Sequence, residues 1–426
     1  MKNSVITRFA PSPTGLLHAG NYRTAVFAYL FAKQSGGAFI VRIEDTDKER
    51  SKKEYEQNIL KTLEWLGLQP DEVFHQSTHV VRHTEMLKKL ITAERAYVAE
   101  EGVIRFRNPN IKLTFADAIR GPITFDTTEL HDFVIARSIE SPLFHLAVVV
   151  DDADEGVSHV IRGEDHISNT PRQILIQEAL GLPTPVYVHL PLVLAPDRTK
   201  LSKRNGAKPL LTYKEGGYLP EAVLNCLALT GWHPEGEKEI FSIGELVEVF
   251  DLKRIQKGGG IYDETKLRWF NHEHIKKLSD DTFASRLTQY VGKVIDARLT
   301  TLLKERYQTL GEIKEALEGG EYDFLESISY PTELLTKGAK TDTEQVKKHL
   351  TVAYELLQKL PHEEFTGEKA KEVLFPYATE VGRAGVLWPL RVALSGKEKS
   401  PDPFTLAALL GKKETLRRIE KALKIL

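Results

Sequence analysis

Near the start of the chain, Arg8-Phe-Ala-Pro-Ser-Pro-Thr-Gly-Leu-Leu-His-Ala-Gly-Asn21 sets His18 between two glycines, and far downstream comes the basic cluster Lys200-Leu-Ser-Lys-Arg204. These types and spacings suit the binding and cleavage of a triphosphate. A helix that begins at His18 offers unpaired N–H groups and a partial positive charge to a phosphate, and Gly20 removes a side chain where backbone must come close to a ligand. Lys200 and Lys203 follow a strand and the turn Ala195-Pro-Asp197. From there they can close over a leaving pyrophosphate as negative charge builds in the transition state. Singly, neither stretch decides anything: a histidine near a helix start is commonly a cap, and a short basic cluster is commonly a solvated loop.

Three apolar runs end in a charge: Arg8 after Val5-Ile6, Glu44 after Phe39 to Ile43, and Arg162 after Val157 to Ile161. In a parallel sheet those carboxyl ends share one edge, where ligands bind. Two guanidiniums and one carboxylate there suit a ligand bearing two carboxylates and one ammonium. Glutamate fits that description. The plainer alternative is that strand ends are charged because they reach solvent.

Placing these residues together requires an α/β frame. Ser4 to Phe9 reads as a strand ended by Pro11 and Pro13, with a helix from about His18 to Lys33. Residues 38–43 form a second strand, closed by Glu44-Asp-Thr-Asp47 and followed by an amphipathic helix ending near Gly67. Strands alternating with helices imply a parallel, doubly wound sheet. After about residue 86, Ile104 to Phe106, Leu113 to Phe115 and Ile123 to Phe125 read as short strands of a β-rich insertion that splits the sheet. The rhythm resumes with strands at Leu143 to Val150, Val157 to Ile161 and Val186 to His189, and a helix from about Thr170 to Leu180. Beyond Tyr218 the strands cease and helical spacing dominates, with joints at glycines 258–260, Glu318-Gly-Gly-Glu321 and Ser395 to Pro403. Leu406 to Leu426 carries Lys412, Lys413, Arg417, Arg418, Lys421 and Lys424, a basic helix pair whose simplest reading is a solvated face.

At 426 residues the chain calls for more than one domain. Fifty-eight basic residues nearly balance sixty acidic ones, for a net charge of −2, which argues against binding nucleic acid by bulk charge but leaves room for local basic patches. The single cysteine, Cys226, excludes an intrachain disulfide and a multi-cysteine zinc cluster. It fits a reducing cytoplasm. No apolar run reaches membrane-spanning length, and Met1-Lys-Asn-Ser begins no signal peptide.

Arg8-Phe-Ala-Pro-Ser-Pro-Thr-Gly with His18-Ala-Gly-Asn21, Arg42-Ile-Glu-Asp-Thr-Asp47, Val160-Ile-Arg-Gly-Glu-Asp-His166 and Lys200-Leu-Ser-Lys-Arg204 together resemble the bacterial-type glutamyl-tRNA synthetases. The resemblance continues through Leu267-Arg-Trp-Phe-Asn271, Pro389-Leu-Arg-Val-Ala-Leu394 and Ala408-Leu-Leu-Gly411. It implies an α/β fold: a split Rossmann-type parallel sheet with a small α+β insertion, followed by an all-α C-terminal half. The implied domains are a catalytic domain in two parts (1–86 and 143–215), a shortened acceptor-stem-binding insertion (87–142), a stem-contact region (216–290) and two helical anticodon-binding domains (291–360 and 361–426). The implied chemistry has two steps: glutamate attacks the α-phosphate of Mg-ATP to give the adenylate, and the terminal ribose of tRNA(Glu) then takes the glutamyl group. By resemblance Arg8, Ala10, Ser12, Glu44, Phe144, Val148 and Arg162 line the glutamate pocket, with Arg8 on the side-chain carboxylate. His18, Gly20, Asp165, Val193 and Lys203 meet ATP, with His18, Lys200 and Lys203 as the catalytic groups. Asp47, Arg306, Arg391 and Ser400 are the implied tRNA contacts. A cytoplasmic monomer is implied as well.

This chain also departs from the family pattern. Phe144 replaces a usual tyrosine, Asn21 replaces the second histidine of the general class I signature, and Tyr97-Val-Ala runs almost directly into Gly102-Val-Ile-Arg105 where relatives carry a longer stretch, some with a zinc site. No zinc is expected here. Two alternatives stand beside this assignment. One is the truncated relative that glutamylates a modified tRNA base, which lacks the helical half; the other is a tRNA-binding or regulatory paralogue with weakened catalysis, for which Phe144 is the only hint. Pro11-Ser-Pro13 stands where the glutaminyl enzyme carries Pro-Glu-Pro. Arg306 aligns with an arginine associated with accepting only tRNA(Glu), so charging of tRNA(Gln) is the open question.

Overall fold

A computed structural model describes residues 5–202, 205–326 and 328–426, and divides the chain into two compact units, Met1–Lys277 and Leu278–Leu426. Lys203 and Arg204 of the basic cluster lie outside the described residues. In the first unit β1 (Ile6–Phe9), α1 (Ala19–Gln34), β2 (Ala38–Ile43), α2 (Lys53–Trp65), β3 (Glu72–His75) and α3 (Val80–Thr92) alternate. β1 pairs with β2, and β2 with β3, all parallel. Pro11 and Pro13 cannot donate to a ladder, which fits the end of β1 at Phe9.

Six short strands follow: β4 (Ala96–Val98), β5 (Ile104–Phe106), β6 (Lys112–Asp117), β7 (Gly121–Asp126), β8 (Phe133–Ser138) and β9 (Ser141–Pro142). Then come α4 (Phe144–Asp154), β10 (His159–Gly163), α5 (Thr170–Leu180) and β11 (Val186–Leu190). The seven-stranded sheet has the order β3-β2-β1-β10-β11-β6-β7, while β4-β5-β8-β9 form a separate antiparallel sheet. The β6–β7 hairpin therefore extends the large sheet, with Asp117 in parallel register with Tyr187. Its alternation of buried and exposed positions lets one face cover the same core that α3, α4 and α5 pack against.

The run Leu143 to Val150, expected as a strand, is the helix α4. Every residue from Leu146 to Asp152 is buried, and an apolar run buried on all sides has no periodicity to separate strand from helix. The expectation that strands cease after Tyr218 also needs amending: β12 (Val193–Leu194) pairs in parallel with β13 (Gly260–Ile261). The glycines there are not a loose joint, because a Cβ on Gly260 would lie 2.7 Å from the backbone nitrogen of Gly231.

The second unit, among its described residues, is built of helices and turns without strands. The C-terminal helix Pro403–Ile425 kinks at Gly411, whose φ of 73° glycine adopts without strain. Its basic residues are not all a solvated face. Arg418 is buried, with Nε on Glu414 and Nη1 on the carbonyls of Phe324 and Leu394. Lys412 donates to the carbonyl of Leu360. No helix is long and apolar enough to cross a membrane among the described residues.

Candidate active site

The turn from β1 into α1 holds His18 as the helix N-cap, with a reciprocal bond on each side. Its Nδ1 accepts from the Gly20 amide (3.1 Å), and its own amide donates to Oδ1 of Asn21 (3.1 Å). Since an amide can only donate, Nδ1 carries no proton and Nε2 is the N–H of the neutral ring. Asn21, a departure at the sequence level, thus completes the cap that orients the histidine. At Gly20 a Cβ would lie 3.0 Å from Cε1 of His18, so a side chain there would press on the histidine ring.

The carboxyl ends of β1, β2 and β10 meet the start of α1 around a cleft of about 440 Å³. Every residue expected to bind amino acid or nucleotide, Lys203 excepted, lines it: Arg8, Ala10, Ser12, His18, Gly20, Glu44, Phe144, Val148, Arg162, Asp165, Val193 and Lys200. Lys200 is ion-paired with Asp165 at 3.5 Å, both half exposed. Phe144 is 37% exposed, with its ring against those of His145 and His166. Burial, together with neighbouring arginines, lowers both histidines to about 4, which keeps them neutral.

Behind the cleft lies a charge network that the sequence did not reveal. Arg8 donates from Nε to Oδ1 of Asp152 (3.1 Å), leaving its terminal nitrogens without a protein acceptor among the described residues. The same Asp152 oxygen takes Nη2 of Arg42 at 2.8 Å, and Nη1 of Arg42 reaches Glu155 at 2.5 Å. Arg42 also faces Glu44 (3.5 Å) and Asp151 (3.8 Å). Its side chain has no exposure. Burial opposes its charge, but Asp152, Glu155, Glu44 and Asp151 outweigh burial and raise its pKa. Burial would raise Asp152 too, yet Arg8 and Arg42 hold it below the ordinary carboxylate range. Glu44 and Glu155 are pushed up to about 7, chiefly by burial and against the pull of Arg42.

None of the residues implied as tRNA contacts is among those that line the cleft. Asp47 is held by Arg50 (2.6 Å) at an exposed turn. In the second unit Arg306 pairs with Glu321 (2.6 Å) beside Tyr307 and Tyr322. Arg391 stacks on the Trp388 ring at 4.8 Å, and the Ser400 hydroxyl donates to the Pro401 carbonyl.

The model for the catalytic domain of class I tRNA synthetases (E and Q) matches residues 4–102 and 99–269, and that for an anticodon binding domain matches 265–423. The glutamate–tRNA ligase of Oleidesulfovibrio alaskensis is 39% identical over 469 aligned residues, and that of Aquifex aeolicus 38% identical over 482; each alignment covers 99% of both chains. The solved glutamate tRNA ligase of Elizabethkingia meningosepticum, in complex with its amino acid, superposes with a TM-score of 0.81 at 31% identity and 99% coverage of both chains. On a split, mostly parallel sheet, a helical second unit and relatives matched from end to end, the chain belongs to the glutamate–tRNA ligase family of class I tRNA synthetases.

Proposed function

We propose that this chain ligates L-glutamate to tRNA(Glu) with Mg-ATP as substrate, through glutamyl adenylate. One observation carries the reading: the residues expected to meet the amino acid and those expected to meet the nucleotide line the same cleft. Arg8 and Arg162 supply guanidiniums for the two carboxylates of glutamate, and Glu44 a carboxylate for its ammonium. The cap at His18 offers an Nε2–H and a helix N-terminus to the phosphates, while Lys200 and Lys203 neutralise the leaving pyrophosphate. No protein nucleophile is needed, because the work is positioning and charge neutralisation. Asp47, Arg306, Arg391 and Ser400 are the proposed tRNA contacts, and unstacked anticodon bases are what helical domains can read.

The catalytic-domain match comes in two pieces that meet at residues 99–102, the turn between β4 and β5. That break supports a shortened acceptor-stem insertion at this turn. Aminoacylation with glutamate and purified tRNA(Glu) or tRNA(Gln), alongside ATP–pyrophosphate exchange, tests the function. Exchange should require glutamate and nearly vanish in Lys203→Ala. Undiminished exchange in that variant would remove Lys203 from the mechanism, and failure to charge tRNA(Glu) would refute the reading.

A further inference from the structure

The β6–β7 hairpin reaches the amino-acid side of the cleft through buried polar contacts. β6 ends in Asp117, whose side chain has no exposure. Its Oδ1 accepts the amides of Ile119 (2.9 Å) and Arg120 (2.8 Å), and its Oδ2 accepts the amide (3.0 Å) and ring Nδ1 (2.8 Å) of His189 on β11. The other ring nitrogen, Nε2, lies 3.2 Å from Nε of Arg162. A guanidinium can only donate, so Nε2 is the acceptor and the ring proton sits on Nδ1, facing the carboxylate. Thr170 takes Nη2 of the same arginine at 2.8 Å, and the Tyr187 ring, stacked on His189, supports the guanidinium from 5.3 Å. With Nε and Nη2 thus fixed, Nη1 of Arg162 has no protein acceptor among the described residues, and the residue lines the cleft.

We propose that Asp117 and His189 are positioning residues for Arg162: the carboxylate locks the imidazole in the one tautomer that accepts Arg162 Nε, and the arginine is thereby aimed at a carboxylate of bound glutamate. This rests on the reading that Arg162 binds the amino acid. Burial, above all, keeps His189 below its ordinary value, so the ring is neutral as the geometry requires. Reversing the tautomer would set an N–H against an N–H beside the pocket. The inserted hairpin therefore contributes to amino-acid binding through Asp117, which does not itself line the cleft.

ATP–pyrophosphate exchange kinetics, run with tRNA present, test the proposal. His189→Leu is expected to raise KM for glutamate about tenfold to a hundredfold, as loss of a hydrogen bond to a charged group would, with KM for ATP unchanged. His189→Gln, whose amide oxygen can accept from Arg162, should recover most of that loss. Equal rises in both KM values, or no advantage of Gln over Leu, would overturn the proposal. Arg162→Lys separates the two layers. If it leaves KM for glutamate unchanged, the pocket reading fails; if it raises KM while His189→Leu does not, the positioning role alone fails. Should His189→Leu not fold, nitrogen-15 NMR of wild-type histidines decides: a neutral Nδ1–H ring at position 189 supports the proposal, and an Nε2–H ring refutes it.

Discussion

Glu44, the proposed partner of the glutamate ammonium, should make glutamate binding depend on pH. Its carboxyl, 8% exposed at the end of β2, is raised to about 7 chiefly by burial, with Arg42 and Arg8 pulling it down and Asp152 and Asp151 adding to the rise. An incoming ammonium needs the carboxylate, so at lower pH a proton must leave first. With a single group at about 7, apparent affinity for glutamate should fall about tenfold between pH 8 and pH 6. Isothermal titration at both pH values, in buffers of different ionisation enthalpy, reads the affinity and the proton released. Glu44→Gln should bind glutamate more weakly and without this slope. The same raised value bears on stability: its contribution is present below the ordinary value of 4.5 and is lost as pH rises through about 7. Glu44→Gln should therefore be more stable than wild type at pH 8, by up to about 3 kcal/mol, with the gain fading towards pH 5. A flat wild-type affinity from pH 6 to 8, or a slope that survives in Glu44→Gln, would refute the reasoning.

Three further outcomes are expected. Arg42→Met strands Asp152, Glu155, Asp151 and Glu44 around an absent cation, and urea unfolding should show a loss of about 3–5 kcal/mol, larger at pH 8 than at pH 6; a loss under about 1 kcal/mol would contradict the network. Phe144→Tyr adds a hydroxyl at the cleft wall and should lower KM for glutamate about fivefold, the worth of one neutral hydrogen bond; an unchanged KM would mean that the ring does not face the amino acid. At Gly338 a Cβ would overlap the Trp388 ring, so Gly338→Ala should cost about 1–3 kcal/mol by overpacking and shift tryptophan fluorescence, whereas unchanged stability would mean that the indole swings aside freely.

The cleft was legible because its residues sit where periodicity breaks. Arg8, Glu44 and Arg162 close apolar strands, and His18 stands between glycines at a helix start, so type and position together announced a shared edge. The layer behind them was hidden for a definite reason. Arg42 stands inside the apolar strand β2, and Asp151 and Asp152 end the apolar run of α4, so each is a charge in a buried element that demands a partner. Reading the run at 143–150 as a strand removed the means of pairing them. On a strand, Asp151 and Asp152 would point to opposite faces, and one would leave the core. On a helix, Glu155 stands four residues after Asp151 and three after Asp152, so all three carboxylates gather on one side. That arrangement lets a single guanidinium from β2 meet them, and it leaves Asp152 within reach of Arg8. The helical state of α4 is thus what connects the buried charges of the first sheet half to Arg8 at the cleft, the arginine proposed to meet the amino acid.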